Sequence, residues 1–285
     1  MLAFAVALAA GCGKGSKNRA EEEKLRVPDS LLAPIAGYHL TVDEYHPVRG
    51  GVMANGDIEL RYPAMEADRY LAVRTFGYLM KGYERVAKEI GRPASGKIVV
   101  IGSKDLDEYR VVTRKEWWYY GAIDGDTIYF EPFDVMIKRH IADVGYTQRL
   151  AQAALNRRSG GRIPPWLREA VATRLAGEGA IIKMQSEEFR LAGQRLDFSP
   201  DEIDVAIAAG EDRYHSRVSY YGAYRMLENL LAFAGMNDVY LFVDKLGAGM
   251  SLDEASQAAF GMGYEALLDR VRVDRGIQGS GHGSR

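Results

Sequence analysis

Histidine and cysteine are the side chains that most often bind metal ions or act as nucleophiles, and this sequence has few of them. Its five histidines are scattered, and no two have the i, i+4 spacing at which one helix presents two ligands to a metal ion. They are His39, His46, His140, His215 and His282. We interpret His140 as a solvated or helix-capping residue, and a ligand role for His215 is the lesser alternative. No Ser-His-Asp or Cys-His nucleophile motif is recognisable.

Other polar residues do have the spacing of a catalytic site. Gln148 and Gln152 lie at i and i+4 in a predicted helix that ends near Asn156, with Arg149 beside the first of them. A later predicted helix carries Glu169. In a helical zinc peptidase, two histidines at i and i+4 bind the ion, and a glutamate next to the first activates a water molecule. Gln148 and Gln152 share the i, i+4 spacing of the two histidines, although neither residue is a histidine.

The segment Pro164-Pro165-Trp166-Leu167-Arg168-Glu169-Ala170-Val171-Ala172 resembles a helix of the gluzincin, peptidase MA-like zinc metallopeptidases. In that family the pattern is Pro-x-Trp-Leu-x-Glu-Gly-x-Ala, and its Glu is the third zinc ligand. Glu169 matches this ligand, while Ala170 replaces the usual Gly. Ser219–Ala223 is similar to the family's tyrosine-bearing helix, and Leu246–Ala255 to one of its closing helices.

The resemblance implies an α+β fold of thermolysin-like architecture. We expect a small mixed β-sheet lobe over residues 31–131, followed by a mostly helical lobe over 132–275 with the degenerate metal-site helices. It also implies a cleft in which the candidate binding residues are Arg149, Glu169, Tyr220 and Tyr221.

The substitutions remove the chemistry of the family. A neutral amide oxygen is a poor zinc ligand, so Gln148 and Gln152 should not hold the ion. Arg149 carries a permanent charge and cannot accept a proton, so it cannot act as the general base. We therefore expect no zinc, no other cofactor and no peptidase activity.

We predict that Arg149 replaces the missing ion by pairing with Glu169 through two parallel hydrogen bonds. Gln148 and Gln152 would complete the polar network. Without zinc, Glu169 would otherwise be a buried carboxylate with no counter-charge. The alternative is that Arg149 projects into solvent and Glu169 pairs with Arg168 or Arg174.

The elements that must position these residues follow from periodicity. Ile58–Tyr62, Lys97–Ile101 and Asp126–Phe130 are predicted strands, and 66–90 is a long helix ended by Gly91-Arg92-Pro93. The aromatic run Trp117–Gly121 is interpreted as packed core, with a binding groove as the alternative. From Phe133 onward the pattern is helical, and the helix that carries Gln148, Arg149 and Gln152 is predicted over Ile141–Asn156.

The N-terminus predicts export. Met1–Gly11 is almost purely apolar and precedes Cys12, which is the only cysteine; this resembles a bacterial lipoprotein signal in which that cysteine is lipidated. Residues 1–12 are thus the predicted signal and 13–30 a polar tether, while 276–285 is a Gly/Ser-rich tail expected to be disordered. No Lys or Arg precedes the apolar run, so a short hydrophobic tail is the alternative. The absence of Asp after Cys12 is typical of anchoring at the periplasmic face of the outer membrane.

Three functions are compatible with these patterns. A net charge of -2 argues against a nucleic-acid-binding protein. We favour a catalytically inactive peptidase MA-like protein, lipid-anchored at the cell envelope, that binds a peptide or protein in the former active-site cleft. The alternatives are an active hydrolase with an unrecognised metal site and a structural envelope lipoprotein.

Overall fold

A computed structural model of the chain describes residues 50–63, 66–92, 96–116, 119–191, 199–209 and 213–272. The predicted signal, tether and tail lie outside the described residues, and so do Cys12, His39, His46 and His282.

Five short strands form one mixed sheet, in the order β1-β2-β3-β5-β4. The inner pairs β2–β3 and β3–β5 are parallel, and the outer pairs β1–β2 and β4–β5 are antiparallel. The strands are β1 Val52–Ala54, β2 Ile58–Arg61, β3 Ile98–Gly102, β4 Gly121–Asp124 and β5 Thr127–Phe130. Among the described strands, β4 therefore forms one edge of the sheet, with β5 on one side and no strand on the other.

The two faces of the sheet contact different helices. Ile58, Leu60 and Ile128 are fully buried in the main hydrophobic core, which continues into the helices. On the opposite face, Ile101 and Tyr129 pack against the short helix α2. This alternation of side chains follows from the strand period of two.

Eleven helices are described, and most of them follow the sheet in the sequence. They are α1 Glu66–Ile90, α2 Leu106–Thr113, α3 Phe133–Lys138, α4 Ala142–Ser159, α5 Pro165–Ala176, α6 Gly179–Leu191, α7 Pro200–Ala209, α8 Arg213–Leu231, α9 Met236–Gly247, α10 Leu252–Phe260 and α11 Tyr264–Val271. The predicted α+β class, a small sheet followed by a mostly helical region, is confirmed.

Helices α1 and α4 pack closely because of a glycine. A Cβ atom placed on Gly82 of α1 would lie 2.8 Å from Thr147 Oγ1 and 3.2 Å from Thr147 Cα. A side chain at this position would therefore push the helices apart. The long helix α1 thus supports α4 from behind, and α4 carries three of the candidate site residues.

The helix predicted over Ile141–Asn156 is present as α4, and the helical pattern that starts at Phe133 belongs to the separate helix α3. The chain breaks between α3 and α4, where His140 adopts a left-handed conformation with φ 57°. The exposed position of His140 agrees with its interpretation as a solvated residue. The break changes the direction of the chain before α4 begins, so α4 can enter the core on its own axis.

Within the described residues, no helix combines the length and the apolar character that crossing a bilayer requires.

Candidate functional site

The middle of α4 is buried on all sides, although Gln148, Arg149 and Gln152 lie within it. Every residue from Gly145 to Leu155 is buried, including Gln148, Gln152 and Arg149, which is 7% exposed. A helix buried all round is normally apolar. Because burying a polar group without a partner costs free energy, these three side chains require specific partners from the surrounding elements.

Helix α5 provides one of these partners. Pro165 opens the helix, and the Trp166 backbone N–H donates to Asp204 Oδ1 of α7 at 2.6 Å, which fixes the helix start. Glu169 follows on the face toward α4 and is 3% exposed. Burial raises the pKa of Asp204 to about 6, although the hydrogen bond from Trp166 works against that rise.

A relay of hydrogen bonds connects the two helices. Arg149 Nη1 donates to Gln152 Oε1 at 2.6 Å, and Gln152 Nε2 donates to Glu169 Oε2, also at 2.6 Å. The other carboxylate oxygen, Glu169 Oε1, lies 3.7 Å from Arg168 Nη2. The charge of Glu169 is therefore balanced directly by Arg168 and, through an amide, by Arg149.

This relay corrects the predicted direct pair of Arg149 and Glu169. Among the described ion pairs, none joins these two residues within 4.0 Å, because the Gln152 amide lies between them. The alternative prediction paired Glu169 with Arg168 or Arg174, and the structure shows the pair with Arg168. Its other part, that Arg149 projects into solvent, is wrong because Arg149 is buried. Both helices contribute to the network, but the arginine acts through the glutamine.

Gln148 belongs to a separate branch of the network. Its Oε1 accepts a hydrogen bond from the Tyr120 hydroxyl, and its Nε2 donates to Thr173 Oγ1 at 3.2 Å. The prediction that Gln148 and Gln152 share one network with Arg149 and Glu169 is therefore correct for Gln152 alone. Gln148 instead ties α4 to the segment before β4 and to the next turn of α5.

Arg149 passes through a gap that a glycine leaves open. A Cβ atom on Gly121 of β4 would lie 3.0 Å from Arg149 Cγ. The guanidinium carbon then lies 5.2 Å from the centre of the Tyr120 ring, within the range of a cation–π contact. Burial opposes the charged form of Arg149, but the neighbouring Tyr120 and Glu169 outweigh it and hold the pKa above its ordinary value.

These residues do not fit a zinc ion. Zinc sites in proteins use thiolate, imidazole and carboxylate ligands, whereas the assembled groups are two amides, a guanidinium and one carboxylate already held by Gln152 and Arg168. Over the described part of the chain, no group of three or more His, Cys, Asp and Glu side chains is placed to hold a metal ion. The His215 backbone lies in α8, and its side chain is outside the described set.

A cavity of about 240 Å³ lies against this network. The edge strand β4, α4, α5 and α8 each form part of its wall, together with the loop after α2. Its polar and charged lining includes Lys115, Tyr119, Asp124, Arg149, Gln152, Arg168, Glu169 and Tyr220. Tyr119 and Tyr220 thus reach the cavity, whereas Tyr221 is not among its lining residues. Of the aromatic run, Tyr119 is buried and lines this wall with Gly121, whereas Trp117 and Trp118 lie outside the described residues.

Four residues of the site were not found from the sequence. Tyr120 and Thr173 bind Gln148, and Lys115 lines the cavity without belonging to any motif. Burial and the nearby Arg149 lower the pKa of Lys115, and Glu169 partly offsets this. Glu178 is the fourth: burial raises its pKa to about 7, with Arg149 lowering and Glu169 raising it.

Tyr220 is the candidate from α8 that the structure brings to the network. Burial raises its pKa, as does Glu169, while Arg149 acts in the opposite direction. The hydroxyl therefore stays protonated at neutral pH and can donate a hydrogen bond into the cavity.

Comparisons with protein-family models, with curated proteins and with solved structures found no match to this chain.

Proposed function

We propose that the chain is a catalytically inactive relative of the gluzincin, peptidase MA-like zinc metallopeptidases that binds a peptide or an extended protein segment in the cavity beside β4. The observation that carries this proposal is the 2.6 Å hydrogen bond from Gln152 Nε2 to Glu169 Oε2. The resemblance assigns a histidine ligand position to Gln152 and the third ligand position to Glu169. Side chains that bind the same metal ion must point toward each other. The Gln152 side chain of α4 and the Glu169 side chain of α5 do so, because they are joined by a hydrogen bond.

The lack of activity follows from the side chains at those positions. Arg149 stands where the family has its general base, and a guanidinium has no lone pair with which to accept a proton. Its partner Gln152 uses both ends of its amide within the network. The polar side chains of this network thus form hydrogen bonds with one another. This arrangement supports a role in ligand binding and not in catalysis.

An extended peptide suits the cavity because one of its walls is the edge strand β4. All four residues of β4 line the cavity, and β4 pairs with β5 on one side alone among the described strands. The N–H and C=O groups on the open side of an edge strand can pair with an added strand. The cavity would then receive one side chain or the end of that peptide.

The location we propose is the cell envelope, at the periplasmic face of the outer membrane. It rests on the apolar run before Cys12, which would be the lipidated residue, and on the polar tether at 13–30. This part of the chain lies outside the described residues.

A selection from a random-sequence peptide library tests the function. We expect selected peptides to bind the purified chain and to remain uncleaved. The Ala122→Trp variant should weaken binding by about tenfold or more, because an indole on β4 fills part of the cavity. Val73→Trp, on the exposed face of α1, is the matched control and should bind as the unaltered chain does.

Other outcomes would favour the alternatives. Chelator-sensitive cleavage of the peptides would favour the active hydrolase. A folded chain that selects no peptide, or peptides whose binding Ala122→Trp does not weaken, would favour the structural lipoprotein.

A further inference from the structure

The cavity has an unequal balance of charge. Lys115, Arg149 and Arg168 supply three positive charges to its wall, and Asp124 and Glu169 supply two negative ones. One more carboxyl, Glu178, is close enough to Arg149 and Glu169 for their charges to change its pKa.

Glu169 is committed to other partners. Its two oxygens face Gln152 Nε2 at 2.6 Å and Arg168 Nη2 at 3.7 Å. Arg168 and Glu169 therefore form the pair whose charges cancel. Arg149 and Lys115 remain as the two cations with no carboxylate within 4.0 Å among the described residues.

Arg149 has spare donor capacity. Its Nη1 donates to the neutral Gln152, and its Nε is buried without a hydrogen-bond partner. A guanidinium has five N–H donors and binds carboxylates strongly, so an amide, the Tyr120 ring and the Tyr220 hydroxyl leave it incompletely satisfied. A buried cation in this state favours an added anion.

Lys115 adds a second positive charge to the cavity wall. It is partly buried, and its Nζ lies 5.4 Å from the centre of the Tyr119 ring. The mutual repulsion of Lys115 and Arg149 would be relieved by an anion bound between them. Tyr220, whose hydroxyl is protonated, contributes a neutral donor to the same wall.

We infer that the cavity binds a carboxylate group of its peptide ligand between Lys115 and Arg149, so that a site with the spacing of a cation site instead recognises an anion. This inference rests on the proposed peptide-binding function and names the chemistry of its ligand. A cavity of about 240 Å³ is far larger than the roughly 10–15 Å³ needed by one water molecule, so it has room for the acid group and the residue that bears it. The carboxylate comes from a free C-terminus or from an Asp or Glu side chain.

Four versions of one selected peptide distinguish these sources. They combine a free or an amidated C-terminus with an acidic residue or its amide analogue, Asn or Gln. Binding to the full chain is measured by calorimetry, and by the NMR shift of the Arg149 Nε–H signal, assigned with Arg149→Lys. We expect the doubly neutral peptide to bind about tenfold or more weakly than the best acidic version and to leave the signal in place. The version that retains binding identifies the C-terminus or the side chain as the source.

Lys115→Gln is the decisive variant. The Lys115 side chain makes no hydrogen bond among the described residues, so the substitution should not destabilise the fold. It should reduce the affinity for the acidic peptide about tenfold and leave the affinity for the neutral peptide unchanged. Lys104→Gln, an exposed lysine outside the cavity wall, is the matched control. Equal binding of acidic and neutral peptides, or no effect of Lys115→Gln on their difference, would overturn the inference while leaving peptide binding intact. Failure of every peptide to bind would instead count against the proposed function itself, and with it the inference.

Discussion

The Gln152 amide nitrogen lies 2.6 Å from a Glu169 carboxylate oxygen, so helices α4 and α5 are joined at their centre by a buried, charge-assisted hydrogen bond. The oxygen of the same amide accepts from Arg149 at 2.6 Å. Arg149 and Glu169 are therefore connected through the neutral Gln152 amide, which accepts a hydrogen bond from Arg149 and donates one to Glu169.

This geometry predicts which residues are energetically coupled. In double-mutant cycles, Arg149→Met with Gln152→Leu should give a coupling of about 1–2 kcal/mol, because each residue is the other's hydrogen-bond partner. The cycle of Arg149→Met with Glu169→Gln should give a smaller coupling energy, because Gln152 lies between these two residues. Urea unfolding measures both cycles, and the exposed pair Asp134 and Lys138 on α3 provides a reference for a weak interaction. A coupling to Glu169 that equals or exceeds the coupling to Gln152 would contradict the bridged arrangement.

Cys12→Ala should release the protein from the membrane. A lipid chain on Cys12 would anchor the mature protein, and the variant would lack the acceptor thiol. Fractionation of expressing cells should place the unaltered protein with the membranes and the variant in the soluble fraction. Ser16→Ala, in the polar stretch that follows, is the control and should remain with the membranes. Unchanged fractionation of Cys12→Ala would exclude the anchor.

Much of the architecture follows from local signals in the sequence. Helix α1 was predicted with its observed bounds, because its apolar residues recur at helical spacing and Gly91 stops it. The start of α7 also follows a local signal: Ser199 Oγ accepts from the Glu202 backbone N–H at 3.2 Å, as a capping residue should. Helix α2 was missed although Asp105 caps it in the same way.

The left-handed conformation of His140 and the bridging role of Gln152 could not be predicted in this manner. No Gly or Pro marks the turn between α3 and α4, where His140 itself adopts the positive φ. The placement of an amide between two charged side chains depends on rotamers and on the separation of α4 and α5, which only the assembled core fixes. Lys115 and Glu178 lie outside the helices, where spacing carries no information about which cavity they face.

The raised pKa of Glu178 predicts a pH dependence of stability. Burial raises this pKa from the ordinary 4.5 to about 7, so between these values the folded chain holds a proton that the unfolded chain has released. The contribution of Glu178 to stability is therefore fully present below pH 4.5 and is lost as the pH rises toward 7. Glu178→Gln should remove this loss and gain about 3 kcal/mol relative to the unaltered chain between pH 4.5 and 7.5.

Chemical unfolding at several pH values measures this difference. The difference between the free energies of unfolding of Glu178→Gln and the unaltered chain isolates the contribution of Glu178. Burial also raises the pKa of Glu131 to about 7, against the effect of Arg139, but this occurs in both chains and cancels in the difference. Glu84→Gln, an exposed residue of α1, is the matched control and should keep the pH dependence of the unaltered chain. A constant difference between Glu178→Gln and the unaltered chain across this pH range would refute the assignment.

Placing the metal-binding side chains of the gluzincin family on α4 should create a zinc site. The triple variant Gln148→His, Arg149→Glu and Gln152→His places two imidazoles at i and i+4 on α4, opposite Glu169 of α5, and removes the competing guanidinium. We expect it to retain about one zinc ion per chain after dialysis, measured by atomic emission, because three ligands of the preferred kinds then converge. Adding Glu169→Gln to the triple variant is the matched control and should lower zinc affinity about tenfold or more. A triple variant that unfolds cooperatively but holds no zinc, or whose zinc binding ignores Glu169, would show that the assignment of these four positions to a former metal site is wrong.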